Sequence, residues 1–232
     1  NGEQRALKVF NQMLPIEQGD ITFQRELANL NALRSERVVR VYGLEKSSGG
    51  QWVLIQEYIE GKNLSELQSE NYSKLERVII CLVIASEILY ALEESHSKGI
   101  IHRDIKPENI ILHKDGRVIL TDFGLSKNTN INQLTIHGQI FGSPQYMSID
   151  QFTKKEASPQ FDIYSIAVLM YEMLAGVTPY QGENIEVILK AKRNGHFKSL
   201  EKLNPYSPDK LSTIINQLLK NEYGTDLNQA YK

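Results

Sequence analysis

The chain has 232 residues, 41% hydrophobic and 23% charged, with a formal net charge of −2. That is enough apolar material for one large domain or two unequal lobes around a buried core, and the near-zero charge excludes a general basic field for nucleic acid or an anionic membrane. The single cysteine, Cys81, excludes an internal disulfide, fits a reducing compartment, and lies in the apolar run 78–84, where a thiol packs as a small hydrophobe. The longest apolar stretches fall short of a membrane span and no signal segment opens the chain, so this segment is expected to be soluble and cytoplasmic, any anchor belonging to a longer parent protein.

In chain order, Asn1-Gly2 before Arg5-Ala6-Leu7-Lys8-Val9-Phe10 reads as a hairpin turn entering a strand. A hairpin needs a preceding strand, so the natural protein is expected to continue upstream. Phe23, Leu27, Leu30 and Leu33 share one face of a helix over 23–34, with Glu26 beside it. Residues 38–44 and 51–59 alternate around the turn Ser47-Ser48-Gly49-Gly50, as an antiparallel pair should. Beyond Gly61 the periods become helical: 75–97, closed by Gly99; about 162–175, ended by Gly176; about 185–193; and about 209–220. Short strands flank the turn Lys114-Asp115-Gly116-Arg117. The predicted architecture is α+β, with a small antiparallel lobe over residues 1–60 and a larger, mainly helical lobe over 61–232.

The chemistry concentrates in His102-Arg103-Asp104-Ile105-Lys106-Pro107-Glu108-Asn109, followed eighteen residues after Asp104 by Asp122-Phe123-Gly124. Even nine of these residues, specified in fixed order at about one in twenty each, arise by chance with probability on the order of 10⁻¹², so coincidence is not the rival explanation. With these motifs the chain resembles the eukaryotic-type Ser/Thr protein kinase family, from its lysine strand almost to its end. The resemblance implies a bilobal kinase fold, ATP and Mg2+ as cofactors, and protein substrates with Ser or Thr acceptors, with no role for nucleic acid or membrane insertion.

Carried over by position, Asp104 is the base that takes the acceptor hydroxyl proton, Asn109 and Asp122 are the magnesium ligands, and Lys106 stabilises the phosphate in flight. Lys8 corresponds to the strand lysine on the α- and β-phosphates, and Glu26 to its ion-pair partner. Glu57 and Ile59 fall at the hinge positions whose backbone meets the adenine edge, behind Gln56 as a polar gatekeeper, with Leu112 under the ring. Asn63 stands either at a ribose contact or at a helix N-cap. Leu30, Val41, His102 and Phe123 match the apolar stack between the lobes, and Asp162 matches the acid beneath the catalytic loop. Ser143, in Gly142-Ser143-Pro144-Gln145-Tyr146, matches the substrate-side loop, where it would brace Asp104 and Lys106. Arg103 implies control by activation-loop phosphorylation, with Thr135 and then Thr129 as regulatory candidates or ordinary polar loop residues. The other histidines, His96, His113, His137 and His196, show no ligand spacing and read as surface or packing residues.

Three departures stand out. No Gly-rich phosphate loop precedes Lys8, which is attributed to truncation and would impair nucleotide binding by this chain. Ser148-Ile149-Asp150 replaces the usual Ala-Pro-Glu, and Thr225 stands where its arginine partner is expected. These motivate the alternative of a pseudokinase or scaffold that binds partner proteins, while phosphorylation of a small molecule is disfavoured by the loop around Ser143.

Overall fold

The computed structural model describes residues 2–10, 28, 30–31, 33–68, 70–123, 135–136, 139–140, 143–153 and 156–220. Strands β1 (Arg5–Phe10), β2 (Val41–Lys46) and β3 (Trp52–Glu57) form an antiparallel sheet in the order β1-β3-β2. The register places Lys8 opposite Leu54 and Ala6 opposite Gln56. The expected turn between β2 and β3 forms, with Gly50 at φ +82° and the Ser47 N–H donating to the Gln51 carbonyl. β2 starts later than the alternation predicts. Val38 instead makes a parallel bridge to Leu120, and the Val39 N–H donates to the Leu120 carbonyl at 3.0 Å. The segment before β2 is therefore an apolar strap between the first sheet and the second. Of the expected helix over 23–34, residues 28, 30 and 31 are helical, 33 and 34 are not, and the remainder, Glu26 included, lies outside the described residues.

The second sheet runs β4-β5-β6, with β4 (Gly61–Asn63), β5 (Ile110–His113) and β6 (Val118–Leu120). β4 is not predicted from the sequence, since three residues are too few to show a period. Gly61 has to be glycine: a Cβ there would collide with the Leu112 carbonyl. The β5–β6 turn is the expected one, with Gly116 at φ +93° and Asp115 Oδ1 accepting from the Arg117 N–H at 3.1 Å.

Helices α1 (Leu64–Gln68), α2 (Lys74–Ser97), α3 (Asp150–Thr153), α4 (Pro159–Ala175), α5 (Ile185–Asn194), α6 (Leu200–Leu203) and α7 (Asp209–Leu219) supply the remainder, with a two-stranded ribbon, β7 (Thr135–Ile136) and β8 (Gln139–Ile140). α2 opens on a reciprocal cap: Ser73 Oγ accepts from the Glu76 N–H and Glu76 Oε2 from the Ser73 N–H. α4 starts three residues before Asp162 because Pro159 suits the first turn, where its missing N–H goes unused, and Gly176 ends it in the left-handed region at φ +77°. It is buried on nearly every side, as expected of a helix apolar all round. The main core joins α2, α4 and α7 to β6, to Leu30, and to Val41 and Leu54 of the first sheet. Cys81 is fully buried, and its Sγ donates to the Met170 carbonyl at 3.8 Å. Among the described residues no helix is long and apolar enough to cross a membrane.

Candidate active site

The loop between α2 and β5 gathers the predicted residues around one buried acid. Asp162, in the first turn of α4, is 0% exposed, and its Oδ1 accepts from the Arg103 N–H at 2.7 Å while its Oδ2 accepts from the His102 N–H at 2.8 Å. His96 Nε2 donates to the same Oδ2 at 2.8 Å. His96 is thus more than the surface or packing residue expected: it completes the hydrogen bonding of the acid that holds the loop. Its single ring in the last turn of α2 gave no spacing to read. Arg103 takes φ +66°, in the left-handed region, and its carbonyl accepts from Gln151 Nε2 at 3.2 Å. A strained residue persists where its surroundings over-determine it, and here the peptide groups on both sides are tied.

His102 is buried and joins loop to sheet. Its Nε2 donates to the Thr121 carbonyl at 2.8 Å and its Nδ1 accepts from the Asp104 N–H at 3.2 Å, a pairing that places the ring proton on Nε2. Its ring meets Phe123 at 4.5 Å between centroids. Leu30, Val41 and Phe123 belong to the main core, so all the residues of the expected stack are buried.

Asp104 is partly exposed, with the side chains it needs already close. Asn109 Nδ2 donates to the Asp104 carbonyl at 2.7 Å and to its Oδ2 at 3.2 Å, and Lys106 Nζ lies 3.4 Å from that Oδ2. Lys106 Nζ also donates to Ser143 Oγ at 3.4 Å, so the loop that carries Ser143 and the loop that carries Asp104 share one cation. Asp122 arrives from the end of β6 at φ +60°, beside Thr121, whose N–H and Oγ1 both donate to the Asn109 carbonyl. Lys8 Nζ reaches Asp122 Oδ1 at 2.8 Å. Its predicted partner Glu26 lies outside the described residues, as do Thr129 and Thr225.

The positions expected on the nucleotide side lie on β3, β4 and β5 and in the segment between β3 and β4. Leu112 sits on β5 in register with Lys62, and Ile59 is buried with Val39 and Ile119. The Glu57 N–H is taken by the Arg40 carbonyl at 2.8 Å. Gln56 Oε1 is buried and meets no protein donor among the described residues. Asn63 is an N-cap: its Oδ1 accepts from the Glu66 N–H at 3.0 Å and its N–H donates to Glu66 Oε1 at 3.2 Å. Thr135 opens β7, paired with Ile140.

The loop that carries Ser143 is fastened by the residues that follow it. Tyr146 Oη donates to Glu172 Oε2 at 2.6 Å; burial raises the Glu172 carboxyl above its usual range, and burial with the neighbouring Glu172 raises the phenol. Ser148 and Gln151 bond reciprocally, through Ser148 N–H to Gln151 Oε1 at 2.9 Å and Gln151 N–H to Ser148 Oγ at 3.3 Å.

A family model described as "Protein kinase domain" matches residues 1–229. The chain is 31% identical over 211 residues to a probable serine/threonine-protein kinase PknB of Lactococcus lactis, covering 89% of this chain and 33% of that protein. It is 35% identical over 180 residues to serine/threonine-protein kinase PknL of Mycobacterium tuberculosis, covering 77% and 44%, and 29% identical over 193 residues to PrkC of Bacillus subtilis, covering 83% and 29%. The chain thus spans less than half the length of these relatives. Motifs, α+β architecture and matched extent agree: the chain belongs to the protein kinase domain family and has its bilobal fold.

Proposed function

We propose that this domain transfers the γ-phosphate of ATP to Ser or Thr hydroxyls of protein substrates, with Asp104 as the base. The observation that carries the reading is the convergence of Asn109 and Lys106 on the Asp104 carboxylate, with Ser143 on the far side of Lys106. An acceptor hydroxyl brought to Asp104 can hand over its proton while Lys106 offsets charge on the moving phosphoryl group. Phosphoryl transfer asks for positioning and charge neutralisation more than covalent chemistry, and this cluster supplies both.

The donor set fits a hard divalent ion. Asn109 points its amide nitrogen at Asp104, which turns its carbonyl oxygen the other way, and Asp122 commits Oδ1 to Lys8, leaving Oδ2. Asn109 and Asp122 would hold Mg2+, which keeps most of its water and takes few protein oxygens. Such an ion, when bound, neutralises phosphate oxygens. Lys8, across from Asp122, is placed to take up the α- and β-phosphates, and the orphan Gln56 oxygen offers an acceptor to an adenine amino group beside the Glu57–Ile59 hinge. We divide the domain into a small lobe, residues 1–60, and a large lobe, 61–232, and place it in the cytoplasm, acting on proteins and regulated through Arg103 and Thr135 or Thr129.

Radiolabelled phosphate transfer by the full-length protein, wild type beside Asp104→Ala, tests this. A fall of about 10²- to 10⁴-fold in the variant is expected from loss of a general base; equal signal from both overturns it.

A further inference from the structure

A buried lysine that no motif marks holds the substrate-side loop. Lys192 lies one turn beyond Ile188 on the inward face of α5 and is 5% exposed. Its Nζ donates to the carbonyls of Gln145 at 2.8 Å and Met147 at 2.5 Å, and sits 5.0 Å from the ring centroid of Tyr164 and 5.8 Å from that of Tyr180. The carbonyl between those two, on Tyr146, accepts at 2.9 Å from Ser165 Oγ of α4, whose one proton it shares with the Phe161 carbonyl at 3.0 Å. Three successive carbonyls of one loop are thus spent on side chains from two helices.

Packing alone does not account for a lysine here. An amine taken out of water is costly, and burial lowers Lys192 from 10.5 to about 7, whereas a methionine of similar reach would fill the space without that cost. What the amine adds is donors: two N–H groups when neutral and three when charged, enough for both carbonyls in either state. The clamped segment continues into the site. The Tyr146 N–H donates to the Ser143 carbonyl at 3.0 Å, Ser143 Oγ accepts from Lys106, and Lys106 lies beside Asp104.

We infer that Lys192, with Ser165, is a positioning residue for phosphotransfer: the clamp on Gln145–Met147 sets where an acceptor chain lies when its hydroxyl reaches Asp104. The inference rests on the kinase reading above. It separates acceptor binding from nucleotide binding, because the clamp touches neither Lys8 nor Asp122.

Steady-state kinetics of the full-length protein, with casein as acceptor, test it. Lys192→Met is expected to raise the acceptor KM about tenfold, the equivalent of one lost tether, and to leave the ATP KM unchanged. Lys192→Arg, which keeps N–H donors, is expected to recover part of the loss. An unchanged acceptor KM in Lys192→Met, or an equal rise in both KM values, overturns the inference. The kinase reading fails separately, if wild type transfers no more phosphate than Asp104→Ala. Should Lys192→Met not fold, Ser165→Ala carries the test: a raised acceptor KM with an unchanged ATP KM supports the clamp, and an unchanged acceptor KM overturns it.

Discussion

Lys8 Nζ and Asp122 Oδ1 stand 2.8 Å apart, joining the first strand to the second residue after β6. Their side chains are 44% and 25% exposed, so water screens the pair and its worth to folding is small. Under the proposed function its worth lies in placing a cation opposite a carboxylate. Lys8→Ala is expected to lower phosphate transfer about 10²- to 10³-fold. The melting temperature should stay within roughly 2 °C of wild type. Transfer assays beside thermal unfolding check both halves.

Asp162 presents the opposite balance. It is fully buried and accepts from two backbone N–H groups and one imidazole, so truncating it leaves donors stranded in the core. Asp162→Ala is expected to cost roughly 3 kcal/mol and lower the melting temperature by roughly 10 °C. Denaturant unfolding measures this, and retention of wild-type stability would show that the loop holds itself.

Gly61→Ala drives a methyl group into the Leu112 carbonyl, which has backbone on both sides and cannot swing away. A cost of about 1 to 3 kcal/mol is expected, as for other overpacked sites. Because Leu112 lies on the strand assigned to the adenine ring, the ATP KM should rise while the acceptor KM stays level. Unfolding curves and the two KM values read the outcome.

Lys192 makes stability depend on pH in a direction opposite to a salt-bridged lysine. Burial brings the folded-state value down from 10.5 to about 7. Below both values folded and unfolded chains carry the proton equally, and between them the unfolded chain binds more, so stability rises with pH from about 7 toward 10.5. The gain of wild type over Lys192→Met between pH 6.5 and 9.5 is expected to be on the order of a few kcal/mol. Urea unfolding of both proteins across that range checks it; a difference that stays flat or falls would show that the amine keeps its proton throughout.

How much of this was readable beforehand depends on where each contact comes from. Asp104, Lys106, Asn109 and Asp122 sit in contiguous runs whose spacing is fixed by one loop and one hairpin, so the residues that meet in space also stand in a recognisable order. The buried cysteine, the turn at Gly116 and the cap at Gly176 follow from local chemistry in the same way. Lys192 and His96 were invisible for a shared reason. The first serves main-chain carbonyls and the second a carboxylate 66 residues away, partners that leave no pattern of residue types along the chain. Gln151 carries a local signal in its Ser-x-x-Gln spacing from Ser148, but its bond to the Arg103 carbonyl does not. Asn63, expected at a ribose contact or a helix N-cap, caps α1, and Glu66 three residues on returns the bond.

Cys81 has a practical corollary. Its thiol is enclosed between α2 and α4, and burial holds it up at about 12, so the thiolate that maleimides attack is scarce and out of reach. A cysteine engineered onto the exterior of this domain would therefore take a fluorophore or spin label at one defined point in the untouched wild-type background.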